Sequence, residues 1–101
     1  MDMLNSKQRA ALRSIASQTD AIFQIGKGGV NEAMCKSLTD ALEARELIKI
    51  SVLENASETA KDFANEIAEA TGAEVVAVIG RKIVLFKEAE KPEHRKISVQ
   101  L

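Results

Sequence analysis

The sequence predicts an α+β (α/β) domain with the element order α-β-α-β-α-β-β, a mixed four-stranded sheet packed with helices. Three observations lead there. Apolar residues recur at three- and four-residue steps in three separate segments. Short β-rich runs stand between those segments, so helices and strands alternate. Two nearly continuous apolar runs, Val75–Ile79 and Ile83–Phe86, are separated only by Gly80-Arg81-Lys82, which reads as a closing hairpin.

The first helix is expected over Ser6 to Ser17. Asn5 or Ser6 can cap it, Gln8 stands at capping-box distance from Asn5, and Leu12, Ile15 and Ala16 give it a narrow apolar stripe. Ala21 to Ile25 reads as a brief strand that delivers the chain into Gly26-Lys27-Gly28-Gly29. Asn31 then opens a second helix to about Arg45, with Val30, Met34, Leu38, Ala41 and Leu42 inward and Glu32, Lys36, Asp40 and Glu43 outward. Leu47 to Leu53 alternates Ile48, Ile50 and Val52 against Lys49 and Ser51, a strand with a polar stretch on its second face.

Ser57 or Asn55 is expected to open the third helix, which buries Ala60, Phe63, Ala64, Ile67 and Ala68 and stops at Gly72 in the C′ position. Glu58, Asp62, Glu66 and Glu69 line its outer face, an acidic ridge that repels nucleic acid. After Glu88 the chain is charged and contains the only proline, Pro92. Residues 1–90 are therefore read as one domain and residues 91–101 as a mobile charged tail, with Lys96 to Val99 able to add an edge strand.

A chain of 101 residues with 46% hydrophobic and 29% charged residues has the composition of one globular domain, not of a disordered chain. No apolar run is long enough to span a bilayer and the first residues lack a signal-peptide pattern, so the expected location is cytoplasmic. Cys35 is the only cysteine and His94 the only histidine. No disulfide or metal cluster is expected from them, Cys35 reading as a packing residue and His94 as a solvated one. No acid and base stand at a recognisable catalytic spacing, so neither an enzyme nor a cofactor is expected.

The net charge of −1 hides an uneven distribution. Lys7, Arg9 and Arg13 fall in a segment without acids, whereas Ser57 to Glu74 holds five acids against Lys61 alone. The stretch with the most chemical content is Gly26-Lys27-Gly28-Gly29. Three glycines in four residues remove Cβ atoms and permit positive φ, Lys27 adds a charge, and the following helix N-terminus favours an anion. A Walker A loop is excluded, because Lys27 is followed by Gly28 and not by a hydroxyl residue. A dinucleotide fingerprint requires a third glycine where Asn31 stands.

These segments together resemble a known family. The basic start Asn5-Ser6-Lys7-Gln8-Arg9, the loop Ile25 to Val30, the run Ala41 to Ile50, the helix end Thr71-Gly72-Ala73 and the hairpin Val78 to Phe86 are similar to the bacterial YhbY family. That family is a stand-alone CRM domain, named for chloroplast RNA splicing and ribosome maturation. The resemblance covers Leu4 to Lys87, with Asn31 where the family usually has threonine or serine and Phe86 where it usually has tyrosine. It implies a fold like the C-terminal domain of translation initiation factor three and a GxxG loop like that of KH domains, which clamps the nucleic-acid backbone. It implies an RNA-binding protein associated with precursors of the large ribosomal subunit, and we expect a non-catalytic monomer that binds the ribosomal RNA there.

The RNA-binding residues expected on this basis are Gly26, Lys27, Gly28 and Gly29, then Lys7, Arg9 and Arg13 if the first helix adjoins the loop, then Lys36, Arg81 and Lys82. With no tryptophan or tyrosine and three phenylalanines that read as core, stacking of bases on an aromatic platform is not expected. The rival reading is a protein-interaction module that docks on the ribosome or an assembly factor through its sheet edge or its acidic helix, the glycines forming only a turn.

Overall fold

Each helix starts at a side chain that closes its first turn. In the computed structural model, which describes residues 4–101, α1 (Ser6–Ala16) is opened by a complete capping box. The Asn5 side chain accepts from the Gln8 N–H at 2.8 Å and the Gln8 side chain accepts from the Asn5 N–H at 3.0 Å. Asn31 caps α2 (Glu32–Arg45) by accepting from the Met34 N–H at 2.8 Å. Thr59, and neither Asn55 nor Ser57, caps α3 (Ala60–Thr71), accepting from the Asp62 N–H at 3.2 Å. The chain is still turning after the second strand, where the Ala56 N–H bonds the Leu53 carbonyl, so the helix starts later than expected. Gly72 ends α3 at φ 79°, the left-handed cap that glycine adopts without strain.

The strands are β1 (Phe23–Ile25), β2 (Leu47–Val52), β3 (Glu74–Ile79) and β4 (Lys82–Phe86). They form one sheet in the order β1-β2-β4-β3, with β1 parallel to β2 and the other pairs antiparallel. This is the mixed four-stranded sheet expected, with β1 shorter than Ala21–Ile25.

Both faces of the sheet are buried, which explains the near-continuous apolar strands. On one face Ile48, Ile50, Val52, Ile83 and Leu85 meet Leu38 and Leu42 of α2 and Phe63, Ala64 and Ile67 of α3. On the other, Leu47, Val76, Val84 and Phe86 meet Leu12 and Ala16 of α1, together with Leu4, Ile97 and Leu101. Each fully buried Leu, Ile or Phe side chain contributes about 1.5–3 kcal/mol. Phe86 is only 1% exposed, so its ring belongs to this second core and not to a ligand surface.

The segment after Glu88 is neither a solvated tail nor an edge strand. It forms two short 3-10 turns, Pro92–His94 and Ser98–Gln100, and Ser98 is buried. The cause is Glu46, at the C-terminal cap of α2 with φ 66° and no exposed surface. Its carboxylate accepts from the N–H groups of Ala89 (2.8 Å), Lys96 (2.9 Å), Ile97 (2.9 Å) and Ser98 (3.0 Å), and from the Ser98 hydroxyl at 2.6 Å. Donors that converge on one carboxylate are unavailable to a strand ladder.

Burial pushes the Glu46 carboxyl up, but the hydrogen bonds from Ser98, Ala89 and Ile97 outweigh it and hold the pKa at about 2. One turn earlier, Glu43 accepts from the Glu90 N–H at 2.7 Å and lies 2.6 Å from His94 Nδ1, so His94 is half-buried and partnered, not simply solvated. The Glu90 N–H, and then His94, hold the Glu43 carboxyl below its ordinary range.

Candidate nucleic-acid interface

The register of the sheet brings three connections to one end. Ile25 lies beside Val52, and its carbonyl accepts from the Leu53 N–H at 2.8 Å. The Val52 N–H donates to the Arg81 carbonyl at 2.7 Å. The glycine loop after β1, the turn after β2 and the β3–β4 hairpin therefore share one rim.

Within the glycine loop the Gly29 N–H donates to the Gly26 carbonyl at 3.0 Å, closing a four-residue turn with Lys27 and Gly28 at its tip. Gly29 has φ 66°, the left-handed region that disfavours any side chain. Gly26 and Gly28 have no positive φ, so the expectation of several left-handed glycines reduces to this one. A Cβ on Gly28 would meet nothing within 4 Å, so the fold does not require glycine there. Among the described residues the Lys27 and Gly28 N–H groups make no backbone hydrogen bond, and Lys27 is exposed with no side-chain partner. Two residues on, α2 begins with Met34 capped by Asn31 and with the exposed Glu32 in its first turn, which offsets part of the positive helix end.

The remaining expected cations divide between two ends of the molecule. Arg81, in the hairpin, lies 3.5 Å from Glu54, and both are exposed, so the pair is weak. Lys82 opens β4 and donates from Nζ to the Ser51 hydroxyl at 2.5 Å. Lys36 pairs with Asp40 along α2 at 3.4 Å, with both side chains solvated. The loop and α1 are not side by side, because α1 packs on the opposite face of the sheet from α2 and α3. Arg13, near the C-terminal end of α1, reaches the loop rim and faces Lys49 and Lys82 across a groove of about 90 Å³. Arg9 is tied down near the start of β3, at the far end of the sheet, donating to the Val75 carbonyl at 2.6 Å and lying 3.6 Å from Glu74. Lys7 is exposed beside Gln100 and Leu101.

Two residues of consequence escaped the sequence reading. Lys49 was visible only as a polar position in an alternating strand, although that alternation places it on the face of Lys82. Glu46 gave one signal, the lack of glycine or asparagine where α2 must end. The acidic ridge is exposed as expected, Asp62, Glu66 and Glu69 on α3 and Glu58 just before it all facing solvent.

Residues 4–87 match the CRS1 / YhbY (CRM) domain. The chain belongs to this family. The CRM match spans all four strands and ends before the segment that Glu46 anchors. Among relatives of this CRM domain, the "Probable RNA-binding protein YqeI" of Bacillus subtilis is 48% identical over 89 residues, covering 88% of this chain and 93% of that protein. An "RNA-binding protein" of Haemophilus influenzae is 31% identical over 91 residues, covering 90% and 92%. The solution structure of the hypothetical protein SAV1595 from Staphylococcus aureus superposes with a TM-score of 0.75 at 48% identity, covering 93% of this chain and 98% of that one. In the CRM domain described here, no helix among the described residues is long and apolar enough to cross a membrane, and no group of three His, Cys, Asp or Glu residues is placed to hold a metal.

Proposed function

We propose that this CRM domain binds RNA without catalysing a reaction on it, the Gly26–Gly29 turn lying against the backbone. The observation that carries this is the tip of the turn. Gly28 lacks a side chain that the fold would accept, and among the described residues the flanking Lys27 charge and both tip N–H groups have no partner. A polyanion can approach that backbone closely and find donors and a cation at once. The relatives named as RNA-binding proteins support the same reading.

The RNA proposed is ribosomal, in a precursor of the large subunit, where a monomeric cytoplasmic protein would assist assembly. This finer step rests on the family resemblance. The loop-rim cations Lys27, Arg13, Arg81 and Lys82 are the better-placed contacts. Arg9 already has protein partners, Lys36 pairs with Asp40, and Lys7 lies beside Gln100 and Leu101.

Replacing Lys27 and Gly28 together with Asp tests the loop. The open space at Gly28 lets the fold persist, which circular dichroism verifies. Affinity for ribosomal RNA should fall at least about tenfold, and the slope of log affinity against log salt should shrink by about one. Unchanged affinity and slope would favour the protein-docking reading, for which Val78 and Ile79, 37% and 63% exposed, offer apolar surface on the β3 edge.

A further inference from the structure

The groove on the α1 face of the sheet is lined by Arg13, Ala16, Ser17, Lys49, Ile79, Lys82 and Val84. Three of these are cations and none is an acid. The ammonium of Lys49 donates to the Ala16 carbonyl at 3.2 Å and that of Lys82 to the Ser51 hydroxyl at 2.5 Å. Among the described residues each spends one of three N–H donors and keeps two. The five donors of Arg13 have no partner among the described residues. Val84 and Ala16 are buried beneath, while Ile79 stands at the rim with 63% of its surface exposed.

We infer that this groove is a second backbone-phosphate subsite, in which Lys49 joins Arg13 and Lys82 in holding a phosphodiester of the same RNA that lies on the glycine turn. The inference rests on the RNA-binding reading above. About 90 Å³ is far below the ~300–1,000 Å³ of sites that enclose a small molecule, so the groove has room for a phosphate group and not for an enclosed nucleotide. Its charge must be negative, since three cations crowd one groove without a carboxylate among the lining residues.

The path between the two subsites is short. β1 and β4 are separated by β2 alone, about 10 Å at the usual strand spacing. On the rim between them lies the turn after β2, whose exposed Glu54 pairs with Arg81, and beyond it the hairpin at Gly80, where a Cβ would meet nothing within 4 Å. An RNA strand crossing there passes Arg81 and enters the groove beside Ile79, whose apolar side chain can cover a ribose or a base edge. A purely structural account serves Lys49, which shields the carbonyl end of α1. It leaves the convergence of Arg13 and Lys82 on the same groove without a reason.

The test uses the full chain and protein-free ribosomal RNA, with affinity measured against salt and thermal stability recorded for each variant. Replacing Arg13, Lys49 and Lys82 with Gln should cost at least tenfold in affinity and reduce the salt slope by about 1, since the one phosphate contact they share contributes about 0.7–0.9. Lys49→Arg should retain parental affinity. Ile79→Asp alters an exposed side chain, leaves the fold intact and brings an anion into the groove, so it should weaken binding several-fold even if the triple variant does not fold. Parental affinity and slope in Ile79→Asp, or in a folded triple variant, overturn the groove subsite. If binding is then still lost in the Lys27 and Gly28 variant, the loop reading stands alone; if the groove variants lose binding and the loop variant does not, the groove stands and the loop reading fails.

Discussion

The Ser98 hydroxyl donates to the Glu46 carboxylate at 2.6 Å, joining residues 52 apart in the chain. With four N–H groups on the same carboxylate, it makes a buried anion satisfied by dipoles alone. Folding favours the charged form here, lowering the pKa from 4.5 to about 2. This contribution is complete above pH 4.5 and is lost as the pH falls from 4.5 toward 2, because the unfolded chain takes up the proton first. It amounts to about 3 kcal/mol. Denaturant midpoints measured across that range should fall steeply in the parent and much less in Glu46→Gln.

At neutral pH Glu46→Ala should cost about 3 kcal/mol or more, since several buried donors lose their acceptor. Glu46→Gly should be about 1 kcal/mol less damaging than Glu46→Ala, because it relieves the φ of 66°. Equal stability of the two variants would show that the backbone at this cap carries no strain.

The glycine turn separates fold from function by position. Gly29→Ala should lower stability by about 1–2 kcal/mol, for its φ is 66°. Gly28→Ala should leave thermal stability within about 0.5 kcal/mol of the parent and yet weaken RNA binding, since its Cβ meets only the approaching ligand. Loss of stability with no loss of affinity in Gly28→Ala would reduce the turn to a structural element.

Arg9→Ala should destabilise by about 0.5–1.5 kcal/mol through the lost bond to the Val75 carbonyl. Its salt slope for RNA should match the parent. A shallower slope would return Arg9 to the binding surface.

Thr59→Ala should cost about 1 kcal/mol as a lost helix cap, whereas Ser57→Ala and Asn55→Ala should be near neutral. Thermal melts of the three variants decide it.

Helices capped by Asn5 and Asn31, the alternation in β2 and the hairpin were legible because each depends on residues close in sequence. The sheet order was not, since pairing β2 with β4 depends on contacts across more than thirty residues. The GxxG turn stood out as a local pattern, but the separation of Arg13 from Arg9 depends on which end of α1 meets which end of the sheet. Glu46 was the least legible residue. Its role is set by donors from a segment whose composition, charged and containing proline, reads as solvated.

The Glu46 anchor also fixes an order of events during synthesis. Its donors lie 43 to 52 residues further along the chain. At about 5–20 residues per second they follow it by about 2–10 s. Throughout that interval the carboxylate lacks the donors that satisfy it in the folded domain. The contacts of Ile97 and Leu101 with the α1 layer can thus form only after all four strands have been made.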